Sequence, residues 1–186
     1  MRLTLEQKIQ NALSYAIPYK GFCFRVLSQR FATKRDVAST KGSKIKGGRY
    51  NIKNKFGVLY LSCDSHTCLE EASRTRQKLA IDIANELPKT VIGFEVELTK
   101  VLNLTDSKIR QKLGIKVSDL TQTDWEKIQA LGLEAITQTI GRLARQAGFE
   151  AILVPSSVWQ GKNLDVFPDK LLPSSKISVV NSSQLP

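Results

Sequence analysis

Residues 148–157 read Gly-Phe-Glu-Ala-Ile-Leu-Val-Pro-Ser-Ser, and they join the clearest helical segment of the chain to a buried strand. Apolar residues recur at helical spacing over 124–147, which predicts one long amphipathic helix. Gly148 supplies the stop signal of that helix. The apolar run at 151–154 predicts a buried strand that Pro155 closes. A helix followed directly by a buried strand indicates a mixed α/β fold.

Further elements are predicted on the N-terminal side of this pair. Helical spacing predicts an N-terminal helix over 3–16 and another helix from about 65 towards 84. Polar, glycine-bearing residues predict a long loop over 32–48. Apolar or alternating runs predict further strands at 21–27, 57–62, 90–98, 101–104 and about 177–180.

These elements indicate an α+β fold, a mixed α/β single domain in which small central β-sheets are flanked by helices. The single domain is expected to span 1–186, with its core at about 21–170. The N-terminal helix occupies 1–20 in this interpretation, and 171–186 form a C-terminal tail.

The positive charge of the chain is unevenly distributed. The formal net charge is +11, and residues 1–60 carry 13 Lys/Arg against two Asp/Glu, so the remainder is neutral. The density is highest over 34–55. Such a segment is either a solvated basic loop or a surface that attracts nucleic acid or nucleotide phosphates. Charge alone does not separate these interpretations.

Composition argues against several classes of protein. No apolar run approaches the length of a membrane span, and the N-terminus lacks a secretory signal, so a cytoplasmic protein without membrane contact is expected. Cys23, Cys63 and Cys68 are too few for a disulfide framework. With His66, the single histidine, they fall short of a zinc ligand set, and no metal is expected. The glycine-bearing stretch 42–49 lacks the Lys-Ser/Thr pair of a P-loop.

Three segments in order resemble the RES domain family, named for its Arg, Glu and Ser. The first is Gly-Gly-Arg-Tyr-Asn at 47–51 with the strand at 57–62, and the second is the acidic pair within 68–72. The third is 148–157 together with the Asn and Phe-Pro that follow it. The resemblance covers about 21–170 and implies a fold related to ADP-ribosyltransferases.

The same resemblance implies an enzyme that cleaves the nicotinamide–ribose bond of NAD⁺, by hydrolysis or by phosphorolysis. NAD⁺ is then the substrate, and no cofactor is expected. Members of the family are commonly toxins neutralised by a helix-turn-helix antitoxin, which implies a protein partner. A homodimer and a hetero-oligomer with the antitoxin are both compatible with the sequence.

The family motifs also imply a set of site residues. Glu71 and Arg49 correspond to the catalytic pair, and the NAD-binding residues are Arg25, Tyr60, Ser156 and Asn163. Tyr50 stands where the family usually has Trp. Glu70 beside Glu71, and Ser157 beside Ser156, leave each assignment open by one position.

The chemistry of NAD⁺ suits these residue types. Nicotinamide leaves as a neutral molecule while positive charge builds on the ribose, so one fixed carboxylate near that sugar is the principal requirement. Adjacent residues on a helix point apart, so Glu70 should face away if Glu71 faces the cleft. The arginines would hold the pyrophosphate or orient the carboxamide, and Tyr60 would stack on the nicotinamide.

Plain structural roles are open for the same residues. Tyr60 is as compatible with the core as with a cleft, Arg25 with an ion pair at a strand edge, and Ser156 with a turn cap. Two other functions are also open. One is an ADP-ribosyltransferase that passes the ribose to a macromolecule, and the other is a basic nucleic-acid-binding module built on 34–55. A RES scaffold that binds a partner without turnover is a further alternative.

Overall fold

The computed structural model describes residues 3–78, 88–180 and 182–186, and this part of the chain contains seven α-helices and six strands. The helices are α1 (Leu5–Asn11), α2 (Lys41–Lys46), α3 (Ser65–Lys78), α4 (Ser107–Leu113), α5 (Val117–Thr121), α6 (Trp125–Ala130) and α7 (Ile136–Ala147). The strands are β1 (Ile17–Ser28), β2 (Leu59–Ser62), β3 (Lys89–Asn103), β4 (Ala151–Pro155), β5 (Lys162–Val166) and β6 (Lys176–Val179).

The six strands form one sheet in the order β1-β2-β5-β4-β3-β6, and β1 also pairs with β3. The second pairing closes β1, β2, β5, β4 and β3 into a ring, with β6 on the outside of β3. All pairings are antiparallel except that between β3 and β4. The mixed α/β fold predicted from the sequence is confirmed, with one continuous sheet in place of several small ones.

Strand β3 corrects the prediction of two strands at 90–98 and 101–104. It pairs along almost its whole length with β1, which itself begins at Ile17 and is longer than predicted. The register shifts near Thr99 and Lys100, where the backbone amides of both residues donate to the buried carboxylate of Glu150, each at 2.8 Å. The Glu150 carboxylate replaces the backbone carbonyls that would accept from these two amides in a regular β-ladder. Strand β3 therefore continues through the irregularity.

The single helix predicted over 124–147 is also wrong, because α6 and α7 are separate helices. Gly132 adopts a φ of 75° between them, a left-handed conformation that ends α6. Leu131 is 69% exposed, so the apolar pattern that suggested a continuous stripe includes a side chain outside the core. At the other end of α7, Gly148 has a φ of 97° and terminates the helix as predicted.

Several shorter elements differ from the prediction. The loop expected over 32–48 contains α2, and helices α4 and α5 and strand β5 had no sequence prediction. The N-terminal helix matches α1 and the 3₁₀ turn Ala12–Tyr15, with Thr4 and Gln7 forming a capping box. The end predicted for α3 near residue 84 lies outside the described residues.

Two apolar clusters hold the domain together, one on each face of β2, β4 and β5. Alternate residues of a strand point to opposite faces, so Leu59 and Leu61 join one cluster while Val58 and Tyr60 join the other. The cluster around Leu59 and Leu61 also contains Phe94, Val96, Leu153, Leu164 and Val166. The cluster around Val58 and Tyr60 also contains Ile9, Tyr50, Ile140, Phe149, Ile152 and Phe167. Within the described part of the chain, a membrane-spanning helix is absent, since none of the helices combines the required length with the required apolar character.

Candidate active site

A cleft of about 840 Å³ opens beside β2 and β5, in the size range of small-molecule sites. Its walls come from β1, the turn after α2, strand β2, helix α3 and the segment that follows β4. Five of the residues predicted for the site line it: Arg25, Arg49, Tyr60, Glu71 and Asn163. The sixth, Ser156, contacts Glu71 directly.

Glu71 lies on α3, the helix that follows strand β2. Asp64 caps the start of this helix by accepting from the amide and the hydroxyl of Thr67, at 2.8 and 2.7 Å. The Glu71 Oε1 atom accepts a hydrogen bond from Ser156 Oγ at 2.8 Å and another from Asn163 Nδ2 at 2.9 Å. Glu70, one position earlier, is exposed. The carboxylate on the cleft wall is therefore that of Glu71.

Ser156 follows Pro155 at the end of β4 and is buried. Besides donating to Glu71, its hydroxyl oxygen accepts from the amides of Val158 and Trp159, at 3.2 and 3.3 Å. The cap role and the contact with Glu71 are therefore combined in one side chain. Ser157 lines the cleft itself, and its Oγ lies 3.4 Å from Arg49 Nη2.

The turn Gly48–Asn51 carries Arg49 to the cleft. The backbone of Gly48 pairs with that of Asn51, whose buried side chain donates to the carbonyls of Ser43 and Phe56 at 2.8 and 3.0 Å. A Cβ on Gly48 would collide with the Tyr60 hydroxyl. Glycine is therefore required here by close packing.

Tyr60 anchors this turn through its hydroxyl, which accepts from the Tyr50 amide at 3.0 Å and donates to Asn51 Oδ1 at 2.8 Å. Burial raises the pKa of Tyr60 well above its usual value, so the phenol keeps the proton that it donates. The ring lines the cleft. The hydroxyl of Tyr60 therefore has a structural role in the turn, and its ring forms part of the cleft wall.

The guanidinium of Arg49 spans two parts of the cleft wall. Its Nη1 atom donates to the carbonyls of Leu120 and Thr123, both at 3.1 Å, at the C-terminal end of α5. These contacts and the Ser157 hydroxyl hold the guanidinium at the cleft. The segment after β4 therefore contacts both residues, since Ser156 donates to Glu71 and Ser157 contacts Arg49.

Arg25 lies on β1, and its Nη1 atom donates to the carbonyls of Val37 and Ser39, at 2.9 and 3.0 Å. Burial lowers the pKa of this guanidinium, because removal from water disfavours the charged form. The side chain lines the cleft and also holds residues 37–39 of the loop within the basic segment 34–55. An ion pair at a strand edge, the alternative considered for Arg25, is not among its contacts in the described part of the chain.

Asp165 and Tyr50 also line the cleft and are both only 1% exposed, but neither was predicted as a site residue. Tyr50 was noted only as the aromatic of the Gly-Gly-Arg-Tyr-Asn motif. Burial, followed by the negative charge of Glu71, raises the pKa of Asp165 well above its usual value. The cleft therefore places a buried acid whose neutral form is favoured beside Glu71, whose carboxyl group is held by two hydrogen bonds. The alternation of Asn163 and Asp165 with buried Leu164 was the available signal, but no strand was predicted there.

The arrangement is suited to stabilising a cation inside a cleft that also holds guanidinium groups. A carboxylate fixed by two hydrogen bonds needs little reorganisation when positive charge develops beside it. The two arginines are matched to phosphate oxygens. Within the described ranges, no group of three or more His, Cys, Asp or Glu side chains could hold a metal ion, and His66 is exposed.

Comparison with known proteins identifies relatives of this chain. The NAD(+) phosphorylase MbcT of Mycobacterium tuberculosis is 29% identical over 118 residues, which cover 62% of this chain and 61% of that protein. The probable NAD(+) phosphorylase Rv3189 of the same organism is 30% identical over 136 residues, covering 73% of this chain and 60% of that protein. The chain thus matches less than two thirds of the length of these relatives.

A solved structure has a similar fold. The crystal structure of the M. tuberculosis MbcT–MbcA toxin–antitoxin complex contains a chain that superposes with a TM-score of 0.69 at 21% identity, covering 97% of this chain and 96% of that one. The profile of the RES domain family matches residues 23–184, which include every residue predicted for the site. The chain therefore belongs to the RES domain family.

Proposed function

We propose that this protein is an NAD⁺-degrading enzyme that cleaves the nicotinamide–ribose bond. The observation that carries the proposal is the Glu71 carboxylate, fixed in the cleft by Ser156 and Asn163 on a wall shared with Arg49. Relatives named as NAD(+) phosphorylases support the same substrate. NAD⁺ is the substrate in this proposal, and the reaction needs no cofactor.

The proposed reaction breaks the bond between the ribose C1 atom and the pyridinium nitrogen. The bonding electron pair leaves with nicotinamide, which becomes neutral, and the ribose acquires oxocarbenium character. Glu71 stabilises that positive charge more strongly in the transition state than in the ground state, which is the condition for catalysis. Arg49 and Arg25 orient the pyrophosphate, and the ring of Tyr60 contacts the nicotinamide.

The acceptor that we propose is inorganic phosphate. An oxygen of phosphate forms the new bond to the ribose carbon, which yields a phosphorylated ADP-ribose and free nicotinamide. The names of the relatives support phosphate, and the arginines of the cleft supply the positive charge that would hold it near the sugar. Hydrolysis would instead give free ADP-ribose.

Incubation of the purified protein with NAD⁺ tests this proposal. Nicotinamide release should depend on phosphate, and the ADP-ribose product should gain one phosphate group in mass. Release that is independent of phosphate would identify water as the acceptor. Label from the ADP-ribose half retained on a macromolecule would identify an ADP-ribosyltransferase, and intact NAD⁺ would overturn the proposed activity.

We also propose that the protein is a toxin paired with an antitoxin protein. The support is the fold shared with a chain of the MbcT–MbcA toxin–antitoxin complex. Expression in a bacterial host should lower cellular NAD⁺ and arrest growth, whereas Glu71→Gln expressed to the same level should do neither. Growth arrest by both proteins would separate toxicity from NAD⁺ cleavage.

A further inference from the structure

Strand β5 presents two polar side chains to the cleft at positions that a buried sheet normally fills with apolar residues. Asp165 lies opposite Tyr60 of β2 and Ile152 of β4, and Asn163 lies opposite Val154. Both side chains lie on the opposite face of β5 from Leu164, which is buried in the apolar cluster around Leu59 and Leu61. The two polar side chains therefore share one face of β5, next to Glu71.

Three buried polar atoms on this part of the cleft have no hydrogen-bond partner within the described residues. They are Asn163 Oδ1, Asp165 Oδ1 and the Tyr50 hydroxyl. Buried polar atoms in folded proteins are almost always paired, because an unpaired one loses its bonds to water without replacement. Three such atoms on side chains that line one cleft indicate a ligand with complementary polar groups.

The protonation of these groups defines what they offer. Burial raises the pKa of Tyr50 above its usual value, so its phenol keeps the proton, and burial raises the pKa of Asp165, which favours the protonated form of its carboxyl group. A protonated carboxyl group offers one donor and one acceptor, and a phenol can do either. Asn163 donates its Nδ2 to the Glu71 carboxylate, so its remaining amide atom, Oδ1, is an acceptor.

This set of donors and acceptors matches a neutral primary amide. The amide N–H groups find acceptors at Asn163 and Asp165, and the amide oxygen finds a donor at Tyr50 or Asp165. A phosphate group fits poorly, since it would face acceptor atoms beside the negative charge of Glu71. Neutral groups next to one carboxylate favour a neutral ligand group.

We propose that Asp165, Asn163 and Tyr50 form a subsite for the carboxamide of the nicotinamide ring. The proposal rests on the proposed function and deepens it, because the subsite would select among dinucleotides by the substituent on the pyridine ring. Asp165 is in this view a specificity-determining residue. It is distinct from Glu71, which acts on the ribose.

A comparison of two substrates distinguishes a specific change at this subsite from a general loss of enzyme activity. The first is NAD⁺, and the second is its analogue in which hydrogen replaces the carboxamide of the pyridine ring. The wild-type protein should prefer NAD⁺ in kcat/KM, and Asp165→Val should reduce that preference by about tenfold or more, since a site that pairs with a polar group rejects analogues lacking it. Loss of folded protein lowers both values equally and leaves the ratio unchanged.

A binding measurement on the wild-type protein tests the subsite without turnover and without a variant. Nicotinamide should bind at least about tenfold more tightly than pyridine in an NMR titration, because two or more hydrogen bonds distinguish them. Equal binding of the two, or an unchanged substrate preference in Asp165→Val that circular dichroism shows to be folded, would overturn the subsite. If NAD⁺ is not cleaved but nicotinamide binds selectively, the proposed function fails and the subsite stands.

Discussion

The cleft contains two acidic residues in different environments. Glu71 lies on a helix, and its carboxylate accepts hydrogen bonds from Ser156 and Asn163. Asp165 lies on a strand between Tyr60 and Ile152, is 1% exposed, and has a pKa raised well above its usual value by burial and by the charge of Glu71. One acid is thus placed to stabilise positive charge, and the other is placed to form hydrogen bonds as a neutral group.

Glu71→Gln should produce the largest effect, because it removes the negative charge and keeps the size of the side chain. We expect kcat for NAD⁺ cleavage to fall by a factor of about 10²–10³, the usual loss when a preorganised electrostatic group is removed. The measurement is nicotinamide release under saturating NAD⁺. Glu70→Gln is the matched control, since Glu70 is exposed, and it should keep wild-type activity.

The reverse result, an inactive Glu70→Gln and an active Glu71→Gln, would contradict the assignment of the two acids.

The Glu71→Gln variant also tests the difference between Glu71 and Asp165. The charge of Glu71 is one cause of the raised pKa of Asp165, so that pKa should move down in Glu71→Gln. An NMR titration of labelled aspartate side chains would detect the change.

Arg49→Lys should have the next largest effect. Lysine keeps the positive charge but cannot hold the carbonyls of Leu120 and Thr123 and also reach Ser157, because it lacks the planar fork of arginine. We expect kcat/KM for NAD⁺ to fall by about 10- to 100-fold, in proportion to one or two charge-assisted hydrogen bonds. Arg30→Lys, at an exposed position beside Phe31, is the control. Equal activity of the two variants would contradict a role for the guanidinium geometry.

The contrast between the two acids also explains what the sequence could predict. Glu71 and Arg49 occur in recognisable segments, and a Gly-Gly-Arg-Tyr-Asn turn followed by a strand and a helix indicates where both side chains lie. Asp165 could not be found in this way. Its strand is only five residues long and includes Lys162, Asn163 and Asp165, so its apolar pattern is too short to predict a strand.

The errors in the predicted fold also arise where the local apolar pattern does not show how elements are separated or joined. The pattern across 124–147 is helical in period, but Gly132 adopts a left-handed conformation after α6, and the period of the apolar residues does not encode that break. The two strands expected at 90–98 and 101–104 are one because a distant residue, Glu150, satisfies the amides between them. Local patterns predicted most elements, whereas joins between elements required contacts distant in sequence.

Ser156→Ala tests how the first acid is held in position. The change removes a donor to Glu71 and the acceptor for the amides of Val158 and Trp159, while Asn163 still contacts the carboxylate. We expect kcat to fall by about 5- to 20-fold, which corresponds to one or two hydrogen bonds. Ser157→Ala, which removes the 3.4 Å contact with Arg49 and leaves the hydrogen bond between Ser156 and Glu71 in place, should have a smaller effect on kcat. A larger loss in Ser157→Ala would assign the positioning role to the neighbouring serine.

Asp165→Asn should have the smallest effect on kcat, and its main effect should be on the pH dependence of stability. Folded Asp165 keeps its proton at pH values where the unfolded chain, with an aspartate pKa of about 3.9, has released it. The folded state then binds more protons than the unfolded state, so its stability decreases as the pH rises from about 4 towards the raised pKa. Each pH unit in this window costs up to about 1.4 kcal/mol in the wild-type protein, and asparagine does not titrate. The Tm of Asp165→Asn relative to wild type should therefore increase as the pH rises above about 4. Asp36→Asn, in the loop outside the cleft, gives the baseline for removing one carboxyl group. A Tm difference that is the same at every pH would mean that Asp165 is charged in the folded protein, and the distinction between the two acids of the cleft would be lost.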